Sequence, residues 1–366
     1  KLLRIAVGGW TRHHLSLASE QLVSSATGVP HCPHLHHEVC NCSMVGEGAA
    51  SEPLDLAMLT GVRALDAARA LLAKMPAALA QRYGDVEGFE WWESHAGLFE
   101  EARKAWGPRY RDVYRLAPSL DSPSSSVASA VLAQATWLQD PVRQALANGS
   151  PSALRSILQE VCRDSAGHAV YTFDLFTPEF CDALLHEMDH LEESGIPLRR
   201  PNGMNRYGAI LSHLGFQEGL LEPLMRCVVA PLGHELWPEW VCVSDCDETY
   251  GFVVRYRIGE DVDLAEHADT SNITLNVCLG RDFADGDLYF KGVRFTDSEH
   301  EQQEYIVGHR KGIAVLHLGG HFHGVRPISK GERSNLVLWG TGADGVVRIR
   351  PDSPKQRSRR ILCGLS

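Results

Sequence analysis

Apolar residues change their spacing partway along the chain. From Leu54 to about Tyr83 they recur every three or four positions, at Leu54, Met58, Val62, Leu65 and Ala68, the period of one buried helical face. An aromatic stretch follows, Phe89, Trp91, Trp92, Phe99, Trp106, Tyr110 and Tyr114, read as helices packing a small core. Asp121-Ser122-Pro123-Ser124-Ser125-Ser126 reads as a loop or linker, and short helices are expected over 126–163. Near Tyr171 the character changes. Thr177-Pro178 supplies a capping hydroxyl with Pro at the first helical position, and Phe180, Leu184, Met188 and Leu191 give that helix its buried stripe.

Beyond Tyr250 the pattern predicts strands: Phe252 to Tyr256, Asn272 to Leu279, Asp287 to Phe290, Glu304 to Val307, Gly312 to Leu318 and Ser334 to Trp339. Gly- and Asp-containing turns separate them. Many short strands in succession point to a closed or sandwiched antiparallel architecture, of which the jelly-roll is one. The chain therefore divides into an irregular segment rich in His and Cys over 1–50, a helical region over 51–165, a mainly β domain over 166–345 and a basic tail over 346–366. No repeat of fixed period is present.

Composition narrows the partners. The 366 residues carry a formal charge of -11, with 44% hydrophobic and 22% charged residues, values of an ordinary globular protein. An acidic balance excludes general affinity for nucleic acid or anionic membranes. No segment approaches the roughly 20 apolar residues that span a bilayer. Ten cysteines over this length lack the density of a secreted disulfide framework, so a reducing compartment, cytoplasmic or nuclear, is expected. The chain starts with Lys1 and not Met, and an incomplete N-terminus is expected. Lys355, Arg357, Arg359 and Arg360 read as a solvated end.

The candidate chemistry lies among the expected strands. His267 and Asp269 are two positions apart, so on or just off a strand end they reach the same side. His323 arrives from a segment remote in sequence, which jelly-roll topology brings close. Two imidazoles and one carboxylate are the set that holds non-haem iron(II) on one face and leaves its other positions free. Arg333 follows the turn Pro327-Ile328-Ser329-Lys330-Gly331, which suggests neighbouring strands for His323 and Arg333. A guanidinium in a barrel interior needs a carboxylate, either an internal Asp or Glu or the far end of a keto-diacid.

Further blocks carry a resemblance. Phe252-Val253-Val254-Arg255-Tyr256, His267-Ala268-Asp269, Thr274-Leu275-Asn276, Gly286-Asp287-Leu288-Tyr289-Phe290 and His323-Gly324-Val325-Arg326-Pro327 through Gly331-Glu332-Arg333 resemble the iron(II)- and 2-oxoglutarate-dependent dioxygenases. Within these they are similar to the 2-oxoglutarate and iron-dependent oxygenase domain-containing proteins, as is the block Arg200-Pro201-Asn202-Gly203-Met204-Asn205-Arg206-Tyr207-Gly208. The core motifs are shared with prolyl and lysyl hydroxylases. The similarity covers Tyr171 to Thr341. One departure is Asp285-Gly286, where relatives carry two glycines, and it puts that turn in question.

The resemblance implies an α+β fold: a double-stranded β-helix (jelly-roll) catalytic core with supporting helices and a mainly helical N-terminal region. It implies that His267, Asp269 and His323 hold Fe(2+), that Arg333 binds the distal carboxylate of 2-oxoglutarate, and that Tyr256 and Asn276 help to hold the same co-substrate. His321 is a rival ligand, and the interval from His323 to Arg333 with the following Gly-Val-x-Pro favours His323. The implied activity consumes O2, releases succinate and CO2 and hydroxylates a C-H bond, with ascorbate as a further expected cofactor. The expected substrate is a Lys or Pro side chain of a protein. The alternatives are a small molecule, an alkylated base, or a catalytically silent jelly-roll that binds a partner.

Two further motifs stand apart. His31-Cys32-Pro33-His34-Leu35-His36-His37 with Cys40 and Cys42 offers zinc ligands, but it is too compressed for one structural site, so a terminal segment without a metal is expected. Asn272-Ile273-Thr274 has glycosylation spacing but falls in an expected core strand.

Overall fold

The computed structural model describes residues 61–74, 94–106, 125–194, 198, 200–242, 246–342 and 347. The tract at 31–42, the tail from 348 and the aromatics Phe89, Trp91, Trp92, Tyr110 and Tyr114 lie outside these residues. Helices α1 (Gly61–Ala73) and α2 (Ala96–Trp106) pair through Ala64 and Ala68 against Leu98, Phe99 and Ala102. Small residues on both faces let the two backbones approach closely.

Three short helices follow, α3 (Ser125–Leu132), α4 (Asp140–Asn148) and α5 (Pro151–Ser156). The chain then enters β structure earlier than expected. Strand β1 (Gln159–Arg163) pairs antiparallel with β2 (Ala169–Asp174), so 159–163 is not helical. The expected boundary at 165/166 falls inside this hairpin. β1 is polar and largely exposed because it is the edge of its sheet, and an edge strand lacks the apolar alternation that reveals a central one.

Helix α6 (Pro178–Glu193) starts where the sequence predicts. The Thr177 hydroxyl accepts from the Phe180 amide at 3.3 Å, and Phe180, Leu184 and Leu191 are buried. After β3 (Gly208–Ile210), a helical run over 217–236 mixes α turns with π turns at Gln217–Leu221 and Met225–Val229. Leu220, Leu221, Leu224, Val228 and Leu232 are fully buried there.

The remaining strands form the roll: β4 (Glu248–Arg257), β5 (Leu264–His267), β6 (Ile273–Gly280), β7 (Phe283–Asp285), β8 (Leu288–Val293), β9 (Tyr305–Val307), β10 (Ile313–Leu318), β11 (His321–Val325) and β12 (Ile328–Thr341). The larger sheet runs β1-β2-β10-β6-β12-β4-β3, and the smaller runs β5-β11-β8-β9. From β4 onward the chain switches between these sheets, β4 to β5 to β6 to β8, then β9 to β10 to β11 to β12. This alternation is the double-stranded β-helix, a jelly-roll, and with the helices it makes the protein α+β.

Strand period sorts the core into two parts. On β12, Leu336 and Leu338 pack outward with α6 and the 217–236 run, while Val337 and Trp339 face inward with Phe252, Val254, Leu288, Phe290 and Val315. Burying each of these large apolar side chains contributes about 1.5–3 kcal/mol. The inward face also carries Tyr256, Asn276, Arg333 and Asn335, all buried. Polar groups there need partners or a ligand. Among the described residues, no helix is long and apolar enough to cross a membrane.

Candidate functional site

β5 and β11 are antiparallel neighbours, and their register sets His267 directly opposite His323. The ring centroids are 4.3 Å apart. Asp269 lies just beyond the end of β5, and its backbone amide donates to Gly319 O at 2.8 Å. His267 Nε2 is 3.4 Å from Asp269 Oδ1, and His323 Nε2 is 3.8 Å from Asp269 Oδ2. One ligand atom from each of the three residues lies within 4.8 Å of the others. Among the described residues this is the one such group of His, Cys, Asp and Glu.

Local hydrogen bonds prepare these atoms. His267 Nδ1 donates to Ala265 O at 2.9 Å, and His323 Nδ1 donates to His321 O at 2.9 Å. Carbonyls only accept, so each neutral ring turns its Nε2 lone pair toward the cluster. Thr274 Oγ1 donates to Asp269 Oδ2 at 2.6 Å and sits 2.8 Å from Ser271 Oγ. Burial opposes ionisation of Asp269, but His323 and His267 outweigh it and hold the carboxyl below its ordinary range. Burial pushes the His323 pKa down to about 4. Burial lowers the His267 pKa, but Asp269 outweighs it and raises it; a divalent metal requires both rings neutral and so binds with release of any proton held there. The donor set, two nitrogens and one oxygen with no thiolate, suits non-haem iron(II).

Arg333 and Tyr256 are cross-strand partners on β12 and β4. The guanidinium carbon sits 4.8 Å from the Tyr256 ring centroid and 5.6 Å from that of Phe283. Arg333 is fully buried, and burial lowers its pKa. Its Nη1 donates to Gly286 O, while Nε and Nη2 have no hydrogen-bond partner. No carboxylate among the described residues pairs with it, so an internal Asp or Glu does not fill that role. β11 and β12 are consecutive in sequence but belong to facing sheets, so His323 and Arg333 meet across the interior and not side by side.

The other expected residues surround this pair. The Tyr256 hydroxyl accepts from Asn205 Nδ2 at 3.4 Å, and burial raises its pKa to about 12, so it stays a phenol able to donate. Asn276 Oδ1 accepts from Asn335 Nδ2 at 2.6 Å, which leaves the Asn276 amide nitrogen free to donate elsewhere. Asp285 and Gly286 take φ of 62° and 80°. Asp tolerates the left-handed region better than most side chains, so the turn forms despite the departure from two glycines.

His321 is neither a ligand nor on the surface. His321 and His323 share the inward face of β11, both against Phe290 and His317, but the extra residue that β8 carries between their partners separates them along the strand. His321 is buried with ring neighbours His168, Phe290 and His317 at 6.0–6.4 Å. Of the upstream block, Asn205 reaches the site through its hydrogen bond to Tyr256. Asn202 Oδ1 accepts from the Met204 and Asn205 amides and closes its own loop. Tyr207 instead borders a cavity of about 490 Å³ between α6 and the outer face of the large sheet. Asn272, of the glycosylation triplet, is buried.

Thr274, Ser271, Asn335 and His309 were not anticipated. Asn335 had a signal, an amide in the otherwise apolar run Leu336-Val337-Leu338-Trp339. His309 sits in a loop and had none.

Comparison with known proteins agrees with this geometry. Residues 129–242 match the OGFOD2-like domain family. The 2-oxoglutarate and iron-dependent oxygenase domain-containing protein 2 of Xenopus tropicalis is 38% identical over 241 residues, covering 65% of this chain and 63% of that protein. The protein of the same name from Homo sapiens is 42% identical over 196 residues, covering 52% and 54%. The human multifunctional procollagen lysine hydroxylase and glycosyltransferase LH3 is 32% identical over 193 residues, covering 50% of this chain and 24% of that one. The chain thus spans roughly half the length of the curated relatives it matches, 63% and 54% for the first two. Residues 129–242 are thus similar to the OGFOD2-like domain family, and the chain is similar over about half to two thirds of its length to 2-oxoglutarate and iron-dependent oxygenase domain-containing proteins.

Proposed function

We propose that this protein is an iron(II)- and 2-oxoglutarate-dependent oxygenase that hydroxylates a C-H bond in a Lys or Pro side chain of a protein. The observation that carries the reading is one interior holding both a two-His, one-carboxylate cluster and a buried guanidinium with two unpartnered donors. An oxygen-activating metal and a keto-diacid supply what each of these lacks. When bound, iron(II) with 2-oxoglutarate and O2 supplies the oxidation, and succinate and CO2 leave.

The chain's own residues do the positioning. His267, Asp269 and His323 are the three groups that would hold the metal. Thr274 orients the carboxylate, and Ala265 O and His321 O fix both imidazole tautomers. Arg333 takes the distal carboxylate of the co-substrate in a charge-assisted pair, with Tyr256 and Asn276 as neutral donors. Phe290, stacked 5.5 Å from the His323 ring, and the apolar interior keep water away.

The peptide substrate is favoured by the similarity to a protein lysine hydroxylase and by the acidic charge, which disfavours nucleic acid. The test is mass spectrometry of peptide and metabolite panels incubated with iron(II), 2-oxoglutarate and O2. Gain of one oxygen on Lys or Pro, absent with His267→Ala, is the expected result. Gain on a metabolite alone would replace the peptide reading, and no gain with no succinate release would favour a silent binding module.

A further inference from the structure

One buried donor beside Arg333 has no role in the scheme above. His309 lies between β9 and β10, and Asn335 Nδ2 is 3.0 Å from its Nδ1. An amide nitrogen only donates, so His309 Nδ1 accepts. Burial, with the Arg333 charge close by, holds this imidazole well below its ordinary pKa. The ring is neutral, and its single proton sits on Nε2. That Nε2 is buried and has no hydrogen-bond partner.

Arg333 Nε and Nη2 are also buried and unpartnered, and the guanidinium is close enough for its charge to act on His309. Arg333 and Asn335 are two positions apart on one face of β12, so Asn335 ties His309 to the guanidinium's side of the sheet. Three unmet N–H donors in one dry corner describe a place for an anion with more than one acceptor oxygen. The unpartnered acceptor nearby, Asn335 Oδ1, would suit a water. That water could satisfy His309 instead, and the experiment below separates the two.

Resting on the reading of 2-oxoglutarate as co-substrate, we propose that His309 Nε2–H donates to its distal carboxylate alongside Arg333, making His309 a residue that selects a 2-oxo diacid over a 2-oxo monoacid. Asn335 acts through His309 by fixing its tautomer and is a positioning residue. A neutral donor here adds a directional contact without a second buried charge, which would repel the guanidinium.

The test is calorimetric titration of anaerobic protein loaded with manganese(II), comparing 2-oxoglutarate with 2-oxobutyrate, which lacks the distal carboxylate. His309→Phe is expected to weaken 2-oxoglutarate binding by about tenfold to a hundredfold and to leave 2-oxobutyrate within about twofold. His309→Gln, whose amide can still donate, is expected to recover most of the difference, and His309→Leu serves as the second donor-free variant should the Phe variant not fold. Unchanged 2-oxoglutarate affinity in either variant that folds without a donor, or equal loss for both acids, would overturn the assignment in favour of a water or a packing role. If the wild-type protein fails to bind 2-oxoglutarate at all, the co-substrate reading itself falls, a result distinct from binding that ignores His309.

Discussion

Thr274 Oγ1 donates to Asp269 Oδ2 at 2.6 Å and so fixes the one carboxylate that both His267 and His323 face. The two residues sit at opposite ends of the turn from β5 into β6. Replacing this hydroxyl by a methyl leaves the ligands intact but unbraced. Thr274→Val is expected to weaken iron(II) or manganese(II) affinity by about tenfold to a hundredfold, read by titration of the metal-free protein. Unaltered affinity would show that the turn alone orients Asp269.

Arg333 should separate stability from binding. In the ligand-free protein its guanidinium is buried with two donors unmet, a condition that disfavours the folded state. Arg333→Met removes that charge at similar volume, and denaturant unfolding is expected to show stability unchanged or raised by up to about 2 kcal/mol. Affinity for 2-oxoglutarate should fall at least about thirtyfold, since charged pairs of this kind contribute about 2–5 kcal/mol. A variant that is both less stable and still able to bind would contradict the role given to Arg333.

Much of this arrangement is legible in the residues, and the exceptions share a cause. The apolar runs of β6 and β10 and the cap at Thr177 announce themselves because burial or capping dictates residue type. β11, His321-Phe322-His323-Gly324-Val325, is hidden because two of its inward positions carry histidine where a core strand would carry Val or Ile. The first third of β12 is hidden in the same way, since Ser329, Lys330 and Glu332 precede the buried Arg333. The irregular register between β11 and β8 is a tertiary effect with no local signal, although His321 and His323 keep the shared face that their two-residue spacing implies. The site itself disrupts the local pattern, and strands that carry chemistry are the ones least visible as strands.

Asp285 offers a check on backbone strain. Its φ of 62° is a conformation that Gly adopts freely and a β-branched residue resists. Asp285→Gly is expected to leave stability equal or higher by up to about 1 kcal/mol, whereas Asp285→Val should lower it by about 1–2 kcal/mol. Chemical denaturation of both variants decides this, and equal stability of the two would show that the turn is not strained.

Asp164 anchors the β1–β2 hairpin and sets an acid limit on stability. Burial would raise its pKa, but the His168 ring at 2.9 Å, Ser298 Oγ and the His168 amide outweigh it and hold the carboxyl at about 2. Its pKa is depressed on folding, so the stabilisation is complete above the unfolded value near 4 and is lost as pH falls through about 2. The contribution is on the order of 2 kcal/mol. Asp164→Asn should flatten the stability profile between pH 4 and 2. A mutant profile parallel to that of the wild type would contradict this.

The central claim is that His267, Asp269 and His323 hold a metal at which 2-oxoglutarate binds. The most direct measurement is the visible spectrum of anaerobic protein with iron(II) as 2-oxoglutarate is added. The account predicts a weak charge-transfer band in the wild-type protein that is lost in His267→Ala. A wild-type protein with no band, or a His267→Ala protein with the same band, would contradict it.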